Sequence, residues 1–208
     1  MNPGIPSQND VGATIPPSQS DEFLRSWGYD LVAEYAHIVS RAALNRGGEV
    51  LELATGTGRM TAVLTRLGFK VRSGDVTDEK NDQVWRRVGP GFARNVELFL
   101  LDMRALPFKS ESVHTITCMN TLHELANPGD CLQELLRVHD RSGVLILGDF
   151  NETGFATMQK LHRAIYGNDH PLGSMKISEA EPLLRNLYSD VRIVRTPLNL
   201  SLIASGKF

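Results

Sequence analysis

Three carboxylates and a pair of glycines lie along the first half of the chain in an order that suits a nucleoside ligand. Gly56 and Gly58 sit in Ala54-Thr55-Gly56-Thr57-Gly58, directly after an apolar run that carries Glu52. Glycines there let the backbone approach a ligand closely, and a following helix presents free N–H groups. Asp75 closes the next apolar run, where a carboxylate can accept hydrogen bonds from both hydroxyls of a ribose. Asp102 closes the run after that and could accept from an exocyclic amine. A lone Gly-x-Gly segment is read most simply as a tight turn. Glu52, the turn, Asp75 and Asp102 in succession are much harder to reach by accident. Farther along come His123-Glu124, then Asp149-Phe150-Asn151, and then His162, Tyr166 and His170. His162 and Tyr166 are four apart and would share a helix face. No compact His/Asp/Glu cluster has metal-ligand spacing, so no metal site is expected.

The elements that must position these groups alternate. Apolar residues from Phe23 to Val39 recur at helical intervals from Asp21 onward, with Gly28 a weak point inside and Gly47-Gly48 a stop. Strands are predicted at 50–53, 69–73, 96–100, 113–119 and 144–147. Helices are predicted at 59–67, around Val84 to Val88, and at 128–138. Helical patterns at 155–166 and 178–187 follow. Two final strands, 191–194 and 198–203, are joined by a turn too short for a parallel crossover, which predicts an antiparallel hairpin. The expected fold is α/β: a Rossmann-like, doubly wound, mostly parallel seven-stranded sheet with a C-terminal antiparallel hairpin and an N-terminal helical extension. In such a sheet ligands bind beyond the carboxyl ends of the strands, near the point where strand order reverses. The loops after Leu53, Ser73, Leu100, Met119 and Leu147 are therefore the candidate site.

Composition narrows the partners. The 208 residues carry 22 Lys and Arg against 24 Asp and Glu, a formal net charge of -2, which gives no basic field for a nucleic-acid backbone. Cys118 and Cys131 are too few for a disulfide framework or a zinc-ligand pattern, and fit a reducing compartment. No apolar stretch approaches a membrane span. Residues 1–20, with Pro3, Pro6, Pro16 and Pro17, lack the basic start and apolar run of a signal peptide. They are expected to be a flexible arm before a single domain over 21–208, in a cytoplasmic protein that uses neither nucleic acid nor membrane.

The segment Val50-Leu51-Glu52-Leu53-Ala54-Thr55-Gly56-Thr57-Gly58-Arg59 resembles the first motif of the class I S-adenosylmethionine-dependent methyltransferases. Asp75 after Val71-Arg72-Ser73-Gly74 is similar to the ribose-binding acid of their second motif. Leu101-Asp102-Met103-Arg104-Ala105-Leu106-Pro107-Phe108 resembles their adenine-side segment, and Asn120-Thr121-Leu122-His123-Glu124-Leu125 the region after their fourth strand. The likeness covers about 50–203 and is to small, UbiE-like members of the type 11 kind. Ala54 stands where many members have glycine, a substitution also common in the family. The resemblance implies S-adenosylmethionine as co-substrate, held by Glu52, Leu53, Ala54, Thr55, Gly56, Gly58, Asp75, Val76, Asp102, Met103 and Asn120. It places Glu52 and turn carbonyls at the cofactor's ammonium group, where a pyrophosphate would be repelled. A nicotinamide dehydrogenase would want a third small residue where Thr61 stands.

Methyl transfer is an in-line displacement at an activated carbon, so the protein mainly aligns the acceptor and removes its proton when needed. The resemblance puts His123 beside the methyl position, where it could orient or deprotonate a hydroxyl, amine or acid; the other reading is that it packs the loop. Cys118-Met119-Asn120-Thr121 stands where DNA amine methyltransferases carry a Pro-Pro-aromatic motif, and no Pro-Cys nucleophile appears for cytosine chemistry. A small-molecule acceptor is expected, with a protein acceptor second. A non-catalytic cofactor-binding regulator or partner subunit is the alternative of a different class.

Overall fold

The computed structural model describes residues 8–208, with side chains from residue 11. Residues 1–7 of the expected arm lie outside them. The rest of that segment is folded: α1, Gln8–Ala13, packs on α3, Leu31–Arg41, and Val11 and Ile15 are buried. Two apolar side chains among polar neighbours were enough to anchor it. Between these helices, α2 spans Gln19–Ser26 and begins with a capping box. Ser18 Oγ accepts from the N–H of Asp21, and Asp21 Oδ2 accepts from the N–H of Ser18 at 2.7 Å. The helical pattern from Asp21 is thus not one helix. Gly28 takes φ 87°, and Asp30 then caps α3 by accepting from the N–H groups of Val32 and Ala33.

The chain clusters into two compact units that divide between Leu100 and Leu101. In the first, β1 (Glu49–Leu53), β2 (Lys70–Asp75) and β3 (Val96–Leu100) pair in parallel, Leu53 beside Gly74 and Asp75 beside Leu100. The crossovers are α4, Arg59–Arg66, and α5, Asn81–Val88. Successive strand residues point to opposite faces, so Val50 and Glu52 share one face of β1. Bonds from Thr61 to Glu52 place α4 over that face.

The second unit holds β4 (Val113–Met119), α6 (Pro128–Val138), β5 (His139–Phe150), α7 (Glu152–Ile165), α8 (Ile177–Leu187), β6 (Tyr188–Arg195) and β7 (Asn199–Lys207). Here β4 pairs in parallel with β5, and β7 pairs antiparallel with both β5 and β6, the expected hairpin. Strand β5 is much longer than its apolar run. Its ladder with β7 continues through Asp149 and Phe150, whose partners are Leu200 and Asn199. Leu145, Ile146 and Leu147 in succession are fully buried, as in a strand covered on both faces, each worth about 1.5–3 kcal/mol of burial.

All seven strands form one sheet of order β3-β2-β1-β4-β5-β7-β6, mostly parallel with an antiparallel C-terminal end, which is the expected fold class. Among the described residues no helix is long and apolar enough to cross a membrane.

Candidate functional site

In the first unit the glycine-rich turn leaves β1 through three residues of left-handed backbone: Ala54 at φ 61°, Gly56 at 52° and Gly58 at 75°. Gly58 begins α4, and a Cβ there would stand 2.8 Å from Val84 of α5. Only glycine fits that position without strain. The turn is tied to the end of β2: Gly56 N–H donates to Asp75 Oδ2 at 2.8 Å, while Val76 N–H donates to Oδ1 at 2.8 Å. Thr55 N–H donates to the Gly74 carbonyl.

A cavity of about 230 Å³ opens beside Asp75, lined by Thr55, Ser73, Thr77, Asp78, Asn81 and the end of β3. Leu100, 63% exposed, is one of its walls, and Val76, 72% exposed, follows Asp75 at the strand end. These are apolar surfaces left in water at the carboxyl ends of parallel strands.

Glu52, expected at a ligand ammonium group, lies beneath the turn and is bonded within the protein. It is buried and does not line this cavity. Its Oε1 accepts from Thr61 N–H at 3.1 Å, and Oε2 accepts from the hydroxyls of Thr61 at 2.6 Å and Ser73 at 2.8 Å. Since the Ser73 hydroxyl donates to Glu52, its oxygen takes the Thr55 hydroxyl proton at 2.6 Å. Burial pushes the Glu52 carboxyl up to about 7, against those hydrogen bonds and with help from the Asp75 charge. The residue fastens β1, β2 and α4 beneath the turn. Leu53 is likewise fully buried.

Sequence reasoning missed Asp21. Arg59 donates to its Oδ1 at 2.8 and 3.0 Å, and Arg87 to its Oδ2 at 2.7 Å. Burial disfavours the Asp21 charge, but Arg59 and Arg87 overcome it and hold the carboxyl well below the usual range. Arg87 also donates to the carbonyl of Thr57 inside the turn, so α2 is linked to the turn through one arginine. The visible signal was the Ser18-x-x-Asp21 capping pattern, which announces a helix start but not an ion triad.

In the second unit Asp102 is already engaged. Arg104 donates to both its oxygens through Nε and Nη2, at 2.7–3.1 Å, and Arg104 N–H adds a bond at 2.9 Å. That hydrogen bonding draws the Asp102 carboxyl down to about 2, so it is a pre-formed anion with one cation beside it. Met103 is buried. Asn120 holds φ 53° directly after β4 while its N–H donates to the Gly148 carbonyl at 2.8 Å. Asparagine adopts left-handed backbone more readily than most side-chain-bearing residues.

His123 is 1% exposed. Its Nδ1 stands 2.6 Å from Asp149 Oδ1, and its backbone N–H donates to Asp149 Oδ2 at 3.0 Å. A carboxylate is an acceptor, so Nδ1 carries a proton, and in the neutral ring Nε2 presents the lone pair. Phe150, Phe155 and His170 surround the ring at centroid distances of 5.5, 5.2 and 4.9 Å. Ligating atoms of His123, Glu124 and His170 lie within 4.8 Å of one another, a clustering that chain spacing concealed. His162 packs edge-on against His170 at 4.5 Å. Tyr166, 59% exposed, faces outward.

The methyltransferase domain family matches residues 51–147. The ubiquinone/menaquinone biosynthesis C-methyltransferase UbiE of Azotobacter vinelandii is 27% identical over 162 residues, covering 74% of this chain and 63% of that protein. The demethylmenaquinone methyltransferase of Clavibacter sepedonicus is 34% identical over 105 residues, 50% of this chain and 42% of that one. The chain thus spans less than two thirds of the length of these curated relatives. A crystal structure of a SAM dependent methyltransferase from Aquifex aeolicus superposes with a TM-score of 0.62 at 21% identity, over 95% of this chain and 97% of that one, a likeness of fold. Residues 51–147 thus match the methyltransferase domain family, and the glycine turn and strand-end acid stand in a fold like that of solved S-adenosylmethionine-dependent methyltransferases.

Proposed function

We propose that the chain transfers a methyl group from S-adenosylmethionine to a small-molecule acceptor. The observation that carries the reading is the left-handed turn after β1 bonded to Asp75 beside a cavity at the strand ends. The residues fit a nucleoside. Asp75 keeps lone pairs beyond those given to Gly56 and Val76, enough to accept from two ribose hydroxyls. Val76 and Leu100 offer apolar surface to a base, and about 230 Å³ suits a nucleoside moiety better than a whole cofactor. Thr55, Gly56 and Gly58 supply close backbone, and Leu53 and Ala54 supply carbonyls. Glu52 acts beneath them as a positioning residue. Asp102, Met103 and Asn120 are proposed for the adenine side and the methyl side.

The donor brings a sulfonium-bound methyl group, so the work left to the protein is alignment and, where the acceptor carries one, removal of a proton. His123 is proposed for that second task, with Asp149 holding the ring so that Nε2 is the basic atom. The small-molecule acceptor is supported by the two curated relatives, a ubiquinone/menaquinone biosynthesis C-methyltransferase and a demethylmenaquinone methyltransferase. A dinucleotide reading is disfavoured by Thr61: its side chain is buried and committed to Glu52 where that fingerprint needs a small residue.

Calorimetry with S-adenosylmethionine, S-adenosylhomocysteine and NAD tests the donor, with micromolar binding (about -8 kcal/mol) expected for the sulfur compounds. Binding of NAD alone would overturn the reading. Transfer of labelled methyl from the donor into a metabolite extract tests catalysis. Donor binding without any labelled product would favour a regulator or partner subunit.

A further inference from the structure

His123 and His170 each bury a ring nitrogen with no hydrogen-bond partner: Nε2 of His123 and Nδ1 of His170. Both residues are more than nine-tenths buried, at 1% and 6% exposure. A buried lone pair left empty costs free energy, so two of them in one place ask for an occupant. Glu124 stands at the edge of the same spot, 56% exposed, with Oε1 3.7 Å from His123 Nε2. We propose that His123, Glu124 and His170 form a binding site for a divalent transition-metal ion of the zinc class.

The chemistry of the donor set selects the ion. Two imidazoles and one carboxylate are the protein ligands of open four-coordinate sites for zinc and its neighbours, and poor ligands for calcium or magnesium. Ligand atoms held at about 2.0–2.1 Å from a tetrahedral ion stand roughly 3.4 Å apart. The His123–Glu124 separation of 3.7 Å is close to that, and all three ligating atoms already lie within 4.8 Å. Glu124 is at the surface and free to swing inward, whereas the two rings are fixed by packing.

The surroundings are those of a prepared site. Asp149 accepts from Nδ1 of His123, the arrangement in which a carboxylate fixes a ligating imidazole and raises its basicity. Phe150 and Phe155 wall the rings with apolar surface. The segment after His170 is pressed onto the His123 backbone: Gly173 holds φ 67°, and a Cβ there would meet the His123 carbonyl at 2.0 Å. That close approach brings a residue from beyond α7 to one following β4. Three protein ligands leave a fourth position for water or for a heteroatom of a bound compound, as in open rather than closed zinc sites.

The test uses the full chain stripped with chelator. Zinc chloride is titrated by calorimetry, and cobalt(II) is followed by its visible absorption, which reports tetrahedral nitrogen and oxygen ligation. One equivalent of each is expected. His170→Gln and Glu124→Gln should each weaken zinc at least tenfold, and Asp149→Asn about 10–100-fold through the ligating ring. His37→Gln, an exposed histidine elsewhere, should change nothing. Absence of binding, or equal affinity in wild type, His170→Gln and Glu124→Gln, would overturn the proposal. Glu124 is exposed, so its variant decides the matter if His170→Gln does not fold. Donor affinity measured on the same metal-free protein tests methyl-donor binding separately, and either result can fail without the other.

Discussion

The N–H of Gly56 and the Oδ2 of Asp75, 2.8 Å apart, join the turn after β1 to the acid at the end of β2. One carboxylate therefore shapes the glycine turn and offers its remaining lone pairs to a ribose. Asp75→Ala should weaken S-adenosylmethionine binding by about 1.5–3 kcal/mol for each charge-assisted bond lost. Hydrogen exchange at Gly56 should also quicken, because its N–H loses its acceptor. Calorimetry and exchange on the same variant read the two effects. Faster exchange with an unaltered dissociation constant would mean that Asp75 serves the turn alone.

Ala54 and Gly58 both hold left-handed backbone, yet only one of them is glycine. Left-handed alanine costs roughly 1–2 kcal/mol, so Ala54→Gly should raise stability by about 1 kcal/mol once the extra freedom of an unfolded glycine is deducted. For a chain of this size that is about 2–4 °C in melting temperature. Gly58→Ala should do the opposite, adding the same strain and a contact of 2.8 Å with Val84. A melting temperature unmoved in both variants would contradict the backbone description.

Glu52 makes a pH prediction with a definite sign. Its carboxyl titrates near 7 in the folded chain, raised from 4.5 chiefly by burial. A raised acid contributes stability that is complete below about pH 4.5 and is lost as pH climbs through 7. His139 runs the other way: burial, then the Lys207 charge, pulls it from 6.5 down to about 4, so its contribution is present above 6.5 and is lost on acidification. The two slopes oppose each other in the wild type. Urea midpoints of Glu52→Gln between pH 5 and 8 should lose the decline toward high pH and expose the histidine slope. A profile parallel to wild type would refute the raised carboxyl.

Much of this site was legible because its chemistry is local. Glycines at 56 and 58 and acids closing two successive apolar runs announce strand ends, and parallel pairing then aligns those ends without further information. Three things were hidden, each for a physical reason. The bonds from Thr61 and Ser73 to Glu52 were one, since a sequence does not show which hydroxyls face a carboxylate. Asp102 reads as a free acceptor until Arg104, two residues on, folds back over it. The meeting of His123 with His170 depends on how the chain packs between α7 and α8, where no periodicity operates.

His123 gives the prediction on which the catalytic reading turns. Held through Nδ1 by Asp149, its ring can offer only Nε2 to a proton or an ion. His123→Gln should lower turnover about 100-fold or more while donor affinity stays near wild type. Asp149→Asn keeps the shape but can present an amide N–H to Nδ1, which favours the tautomer with the proton on Nε2. It should therefore lose turnover on a similar scale with the histidine still in place. Both variants touch a buried pair, so melting temperature and the fraction folded must be measured on the same preparations. Repeating the assay with chelator and with zinc separates the two uses of Nε2. A base works in the metal-free chain, whereas an ion-dependent step stops there. If turnover per folded molecule survives in both variants, His123 is a packing residue among Phe150, Phe155 and His170, and the acceptor gives up its proton elsewhere or carries none.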